Sequence, residues 1–447
     1  MANQFLAAQV YANVMLLLLK NNLVTGRLVD GQFKDQVTDE NGLIINVKRP
    51  PRFIMGSGAQ LQTQDIVTGS VAVAVNQYSN VHISIGDLEY VQNYNSLMQN
   101  ETMKSAATTL ASGLDSYLQG LTLGFASWVA GAGSATTPAV GFNVATPTDI
   151  QNQTEAMAIE TRLMEHGVPM TDVAGTLSPR DGQLIRGSML SAFTPSINVS
   201  MLEKTRIPMI SAIDFYATQQ NPVLVTGSRT TSGASEIDNT TFGGNQNVNY
   251  RDVKGAAGTV GYQQTLVLKA AGTSGTISAG EVFTIAGVYQ WDWRANGGLG
   301  VALPDLAQFT VVNAATATSG GAVTVTITPP IIVQGTADET GSTATNTAFA
   351  TVSAIPADSA AVTWVGVAST AYKVKSAWHK RAIALVSARL PMPWTGTASF
   401  AVDPDTGVAI RYWRGSDIVS GQHIHRWDMI YGGAVMDCFL GTRVSGS

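Results

Sequence analysis

Apolar and polar positions change their period several times along the chain, and each change marks an element. Val14 to Leu19 is an apolar run interrupted upstream by Gln9 and Asn13, and it predicts an N-terminal helix packed on the body or on a partner. Leu43 to Val47 reads as a strand that Lys48-Arg49-Pro50-Pro51-Arg52-Phe53 extends, the prolines removing ladder donors. A Gly, Ser and Gln rich tip from Met55 to Gln64 separates it from the alternating strand Val71 to Val75. Together they predict a long hairpin, with Leu43, Ile45, Val47, Val71, Val73 and Val75 at alternate positions. An isolated two-stranded ribbon is marginal in water, so this arm needs a surface to lie on. Val81, Ile83 and Ile85 continue as a further alternating strand.

From about Ser96 the period lengthens. Leu110, Leu114, Tyr117, Leu118, Leu121, Phe125 and Trp128 recur at spacings of three and four, which predicts one long helix over about 98–130. A Gly, Ala and Thr rich linker at 131–147 precedes a second helix, Thr148 to Glu165, with Thr148 as its N-cap and Gly167 just past its end. Val173 to Leu177 reads as a strand and Arg180 to Met189 as a short helix. Near Gly227 the helical period vanishes. Strand-like runs recur to about Gly366, at Gln264–Leu268, Glu281–Ile285, Gln308–Val312, Val323–Ile327 and Ala361–Val365, as in a small barrel or sandwich with Ile285 in its core. Ala382–Val386, Phe400–Val402, Val408–Trp413 and Ala434–Leu440 are strands that complete the interrupted α/β domain.

Composition narrows the function. Charged residues make up 13% of the 447 and the formal charge is −5, with 26 basic and 31 acidic side chains. A phosphate-tracking nucleic-acid binder carries a basic excess, and this chain has none. So little charge poorly protects a large protein against self-association and suits a subunit covered by its neighbours. The stretch 227–366 holds five basic residues against nine acidic ones, most of the net charge. Cys438 is the only cysteine, which excludes a disulfide framework and a cysteine metal cluster. No basic residue precedes the VMLLLL run and no window reaches ~18 apolar residues, so neither a signal peptide nor a membrane span is expected.

Motifs for chemistry are scarce. His423 and His425 with Asp428 form a possible metal set, but the spacing supplies no third ligand, and hydrogen-bonded histidines are the better account. Asp403-Pro404-Asp405-Thr406-Gly407 begins like a calcium loop, yet its twelfth position is Arg414, so a turn between strands is expected. Phosphate loops, zinc-protease motifs and serine elbows are missing. No catalytic, cofactor or metal residue is assigned. Lys48, Arg49 and Arg52 form the densest basic cluster, expected to pair with acidic groups on a neighbour. Trp291-Asp292-Trp293-Arg294 reads as a loop with one aromatic in the core.

Lys48 to Phe53, Gly280 to Val288, Ile410 to Gly415 and His425 to Asp428 carry a resemblance. With the order of elements, the chain resembles the major coat protein of tailed double-stranded DNA bacteriophages. That family has the Hong Kong-ninety-seven-type capsid fold, an α+β class, and the likeness is to its P-twenty-two-like branch with an inserted β-barrel. The resemblance implies an N-terminal arm (1–42), an extended hairpin loop (43–75), a peripheral domain with spine helix (76–149), and an axial domain (150–226). It further implies an inserted barrel (227–366) and a second axial part returning to the periphery (367–447). It implies a non-enzymatic subunit that assembles with itself into hexamers and pentamers. Scaffolding and portal proteins would assist in the host cytoplasm, encapsidated DNA would be met only non-specifically, and no membrane would be involved. Subunit-contact candidates are Lys48, Arg49, Arg52, Val71 and Val73 in the hairpin, and Asp238, Arg251 and Asp252 in the polar loop of the insertion. A tail or adhesin β protein is the alternative, and an enzyme with a β appendage a third reading.

Overall fold

The computed structural model describes residues 4–33, 44–49, 51–56, 70–86, 101–129, 153–190, 212–229, 235–238, 262–269, 271–272, 274–335, 348–417, 419 and 421–444. The hairpin tip beyond residue 56, the linker 131–147, the expected cap Thr148, and Arg251 and Asp252 lie outside the described residues.

Helix α1 (Gln4–Asn22) is followed by strands β1 (Ile44–Lys48), β2 (Ser70–Ala74) and β3 (Gln77–Gly86), then helix α2 (Glu101–Leu121). Next come β4 (Ser127–Val129), α3 (Gln153–Glu165), β5 (Val173–Leu177), α4 (Pro179–Leu190), β6 (Asp214–Ala217) and β7 (Val223–Val225). A run of strands follows: β8 (Glu236–Ile237), β9 (Gln264–Lys269), β10 (Thr276–Ile277), β11 (Val282–Asp292), β12 (Val301–Val311), β13 (Ala315–Thr316), β14 (Val323–Thr328) and β15 (Val362–Val365). The chain closes with β16 (Ala371–Lys373), β17 (Lys375–His379), β18 (Ile383–Ala388), β19 (Thr397–Val402), β20 (Ala409–Asp417), β21 (Gln422–Val435) and β22 (Gly441–Val444). Among the described residues no helix is long and apolar enough to cross a membrane.

The elements group into two compact units. One comprises Met1–Asn46, Ala72–Leu121 and Ile383–Ala434. Its sheet runs β18-β21-β20-β19, with β3 paired to β21. Register puts Tyr412 opposite Trp427, so both side chains share a face. Tyr11 of α1 stacks on Tyr412 at 5.2 Å, and Tyr117 of α2 meets Tyr431 edge-on at 5.3 Å, so both helices cover that face. Ala8, Tyr11, Ala12, Met15 and Leu19 form the buried stripe of α1, at the spacing an amphipathic helix requires. The Asp115 carboxylate accepts the Val24 and Gly26 N–H groups at 2.8 and 3.0 Å, which pins the segment after α1 to α2.

The other unit comprises Val47–Val71, Thr122–Ala382 and Val435–Ser447. Its mixed sheet, β4-β22-β17-β5-β6, packs with α3 and α4 over Ile159, Leu163, Leu177, Ile185 and Phe215. Helix α4 begins with a reciprocal cap: the Ser178 hydroxyl donates to Asp181 at 2.7 Å and accepts the Asp181 N–H at 3.3 Å. The buried Lys375 ammonium lies 3.2 Å from the same carboxylate. A six-stranded sheet, β15-β11-β12-β14-β9-β8, is drawn wholly from the run of strands. Its core holds Leu266, Phe283, Ile285, Phe309, Val325 and Trp364. Its first and last strands meet: Ile237 N–H donates to Ala360 O at 3.0 Å and Val362 N–H to Ser235 O at 2.8 Å.

Two expectations are corrected. The long helix stops at Leu121, a 3₁₀ turn takes Thr122–Gly124, and Trp128 sits in β4, parallel to β22. Phe125 and Trp128 are both buried, and buried apolar spacing alone cannot tell a continuing helix from a turn and a strand. Ala434–Leu440 is not a strand: β21 ends at Val435, and the Asp437 carboxylate accepts the Phe439 N–H at 3.0 Å to turn the chain. The stretch 367–447 is divided between the two units. Ile383–Ala434 folds with α1 and α2, because β21 pairs with β3 along one side and β20 along the other.

The two ends of the run of strands are tied together at a neck. Thr226 N–H donates to Thr370 O at 3.0 Å, and its hydroxyl donates to Val367 O at 2.6 Å. Beside it, Arg229 Nε and a Glu281 carboxylate oxygen lie 2.9 Å apart, with side chains 1% and 0% exposed. Glu281 also accepts the Gly227 and Ser278 N–H groups at 2.7 and 2.6 Å, and Arg229 donates to Gly366 O at 2.9 Å. Glu281→Gln strands a guanidinium in the interior and should cost about 3–5 kcal/mol, read as a lowered urea midpoint. A loss under about 1 kcal/mol would show that the neck does not depend on the pair.

Candidate functional site

The features that bear on function are the root of the hairpin and the solvent-facing side of the sheet in the first unit. Strands β1 and β2 pair as a two-stranded ribbon. Along β1, Ile45 and Val47 are buried while Ile44 and Lys48 are exposed, the alternation expected. Strand β2 departs from it, since Ala72 is buried along with Val71 and Val73. Gly432 of β21 lies against the end of β2: a Cβ there would collide with the carbonyl oxygen of Ala74. The base of the hairpin therefore rests on its own chain.

The basic cluster is dispersed. Lys48 faces solvent at the end of β1. Arg49 is buried, its guanidinium carbon 4.5 Å from the centre of the Tyr262 ring. Arg52 lies over Trp293 at 4.3 Å and faces Phe349 at 5.4 Å. Arginine suits such contacts because its planar, weakly hydrated cation stacks on a ring face. Ile54 packs against the cluster of Tyr262, Ile332, Ala348 and Phe349. Met55 N–H donates to Gly297 O at 2.8 Å. The Trp291–Arg294 stretch also differs from expectation: both indoles are half-buried, and Trp293 receives Arg294 at 5.0 Å as well as Arg52. Asp238 is half-buried just past β8, its N–H donating to Val267 O at 3.0 Å.

In the first unit, the fully buried Asp428 carboxylate accepts Arg411 Nη2 at 2.6 Å and Arg426 Nε at 2.5 Å. The Tyr78 hydroxyl accepts from the same two guanidiniums at 3.3 and 3.0 Å. Burial, then the Asp428 charge, holds the Tyr78 hydroxyl above its usual range. Register sets His425 opposite Arg414 and Asp428 opposite Arg411, on opposite faces of the sheet. His425 Nδ1 instead lies 2.7 Å from the Tyr412 hydroxyl, and His423 Nδ1 2.9 Å from Ser416 Oγ. The odd sequence spacing of His425 and Asp428 is what separates them. Among the described residues no three His, Cys, Asp or Glu side chains converge as metal ligands. Asp403 is likewise engaged, accepting the Thr406 hydroxyl at 2.7 Å and Lys20 at 3.1 Å within a β19–β20 turn.

Sequence reasoning missed Trp394. It is fully exposed, on a loop braced by Arg411 Nη1 to Pro391 O at 2.6 Å and Trp413 Nε1 to Thr395 O at 3.0 Å. The signal was present in Pro391-Met392-Pro393-Trp394, a stiff segment ending on a large apolar side chain.

The family model described as P22 coat protein, gene protein 5, matches residues 19–446. No curated protein sequence matches the chain. Among solved structures, one from Mycobacterium phage Che8 is similar at 10% identity, covering 94% of this chain and 90% of that one, with a TM-score of 0.44. The capsid of Ralstonia phage GP4 is similar at 7% identity, over 91% and 83%, with a TM-score of 0.39. The capsid of cyanophage P-SCSP1u is similar at 8% identity, over 91% and 84%, with a TM-score of 0.37.

Two buried histidines make the fold acid-sensitive. Burial, with Arg414 and His423 adding positive charge, pushes His425 down from 6.5 to about 4. Burial beside Arg162 pushes His166 down to about 3. Below pH 6.5 the unfolded chain takes up protons that the folded chain refuses, so stability is full above that value and falls as pH drops toward 4. His425→Gln should lose less stability than the parent between about pH 7 and about pH 4.5, measured by urea midpoints. An equal loss in both would remove His425 as a cause.

Proposed function

The chain belongs to the P22 coat protein family, and we propose that it builds its shell by laying the hairpin arm on a neighbouring copy. It is a major capsid protein of a tailed phage, a structural, non-enzymatic subunit of the virion that assembles with itself into a shell of capsomers. The observation that carries this is the family match over residues 19–446.

The finer assignments follow the same logic. The first unit holds the long helix α2 and serves as the peripheral domain, and the α3–α4 layer serves as the axial domain that meets its copies in hexamers and pentamers. The segment 227–366 is an inserted β-barrel, a reading supported by the hydrogen bonds between its first and last strands. Its polar loop, with Asp238, Arg251 and Asp252, contacts a neighbouring capsomer. Lys48 belongs to the stretch of arm that the neighbour covers, whereas Val71 and Val73 are already buried within their own chain and, with Arg49 and Arg52, root it. Assembly takes place in the host cytoplasm with scaffolding and portal proteins, and DNA is enclosed without sequence recognition. The low charge supports the last point, since a shell that gripped phosphates would need a basic surface. Each contact can be weak, because many act together in a closed array.

Deleting residues 57–68 should leave circular dichroism and the urea midpoint of the unassembled chain unchanged while abolishing closed shells in negative-stain images. Normal shells from that variant would sink the arm's role. Trp394→Ala should change stability by less than about 0.5 kcal/mol. It should raise the concentration at which shells form, followed by light scattering, and an unchanged threshold would place Trp394 outside the subunit contacts.

A further inference from the structure

We propose that Trp293 is the positioning residue that sets the direction in which the hairpin arm leaves the subunit, by gripping Arg52 through its indole ring. The inference rests on the reading that the arm reaches a neighbouring copy. It adds what aims the arm.

The arm leaves β1 through residues 51–56, which have no regular structure and pair with no strand. A segment without a ladder must take its direction from side chains. The segment is held at its root and along its length. Arg49 is buried on Tyr262, which fixes the root. Three residues on, Arg52 lies over Trp293 at 4.3 Å. The backbone beyond it is held as well: Met55 N–H donates to Gly297 O at 2.8 Å. Gly298 has a φ of +94°, and a Cβ there would stand 2.8 Å from Phe53 O and 3.2 Å from Ile54 Cα. The turn after Trp293 thus admits the arm's backbone only because it is glycine. These contacts fix the course of residues 51–56, from which the arm continues.

The gripping side is itself braced. Asp292 Oδ1 accepts the Arg294 N–H at 3.0 Å, and Gly300 N–H closes the turn on Ala295 O at 2.9 Å. Arg294 lies over the same indole at 5.0 Å. Its side chain also rests on Gly167 at the end of α3, where a Cβ would approach Arg294 Cδ to 2.8 Å. The contacts therefore run from α3 through Arg294 and Trp293 to Arg52 and the arm. Trp293 is half-buried and lies outside the apolar core of the six-stranded sheet, so filling that core does not account for it. A planar guanidinium stacked on an indole fixes orientation as well as distance, which a lysine ammonium would not do.

The test uses the full chain. In the unassembled protein, Arg52→Gln should speed hydrogen exchange of the peptide spanning residues 51–56 by about tenfold while the urea midpoint stays put. Trp293→Ala should do the same, and Trp293→Phe, which keeps a ring face, should restore most of the protection. Under assembly conditions, Arg52→Gln should lower the fraction of closed shells several-fold and yield open or misshapen particles. Exchange at parent rates in Arg52→Gln would overturn the grip. Faster exchange with normal shells at parent yield would overturn the positioning role. If the parent chain itself forms no shells, the reading of the arm fails, and the exchange comparison still decides whether Trp293 holds it.

Discussion

A buried ion pair at the neck is the constraint on which the larger unit depends. Closing a loop of this length costs a few kcal/mol of chain entropy, a cost that grows only slowly with loop length. What the chain cannot tolerate is an open junction, where the backbone groups of both connecting strands would be left in the interior without partners. Glu281 resolves this in one place by accepting two N–H groups and facing Arg229, while Thr226 ties the two strands together. Desolvation raises the Glu281 pKa and the Arg229 charge opposes that rise, so each partner needs the other to remain charged there. The arrangement specifies where the six-stranded sheet begins more than it stabilises the fold.

Several of the buried cations among the described residues are also set against aromatic rings. Arg229 lies over Trp364 at 4.7 Å, and Arg443 lies over Trp128 at 5.3 Å. Burial pushes Arg443 down to about 9, and its guanidinium is accommodated by the Thr310 hydroxyl at 2.8 Å and the carbonyl of Gly280. Arg49 and Arg52 follow the pattern at the root of the arm. Rings supply a negative face without adding a charge, so the interior accepts cations while the surface keeps few. For a subunit that must meet copies of itself on many sides, that reduces like-charge repulsion between neighbours.

The sheet of the first unit divides its work by face. Tyr412, Trp427 and His425 point toward α1 and α2 and make the core. Arg411, Arg426 and Asp428 lie on the other side, joined by Tyr78. The base of the hairpin is rooted in its own chain, and Trp394 is exposed on a loop braced by Arg411 and Trp413.

The sequence by itself determined the elements whose signal is local. Val173–Leu177 and the helix after it stand where the pattern put them, and so do the alternating β1 and β3 and, among the described residues, the strands beyond Gly227. Their cause is a period of burial or a turn residue, and both are written in neighbouring positions. Tertiary structure decided the rest: where α2 stops, that Arg49 and Arg52 turn onto rings, and that Ile383–Ala434 joins α1. Each depends on a partner far along the chain, such as β22 for Trp128 or Tyr262 for Arg49. A period records that a side chain is buried, and only the folded chain supplies what it is buried against.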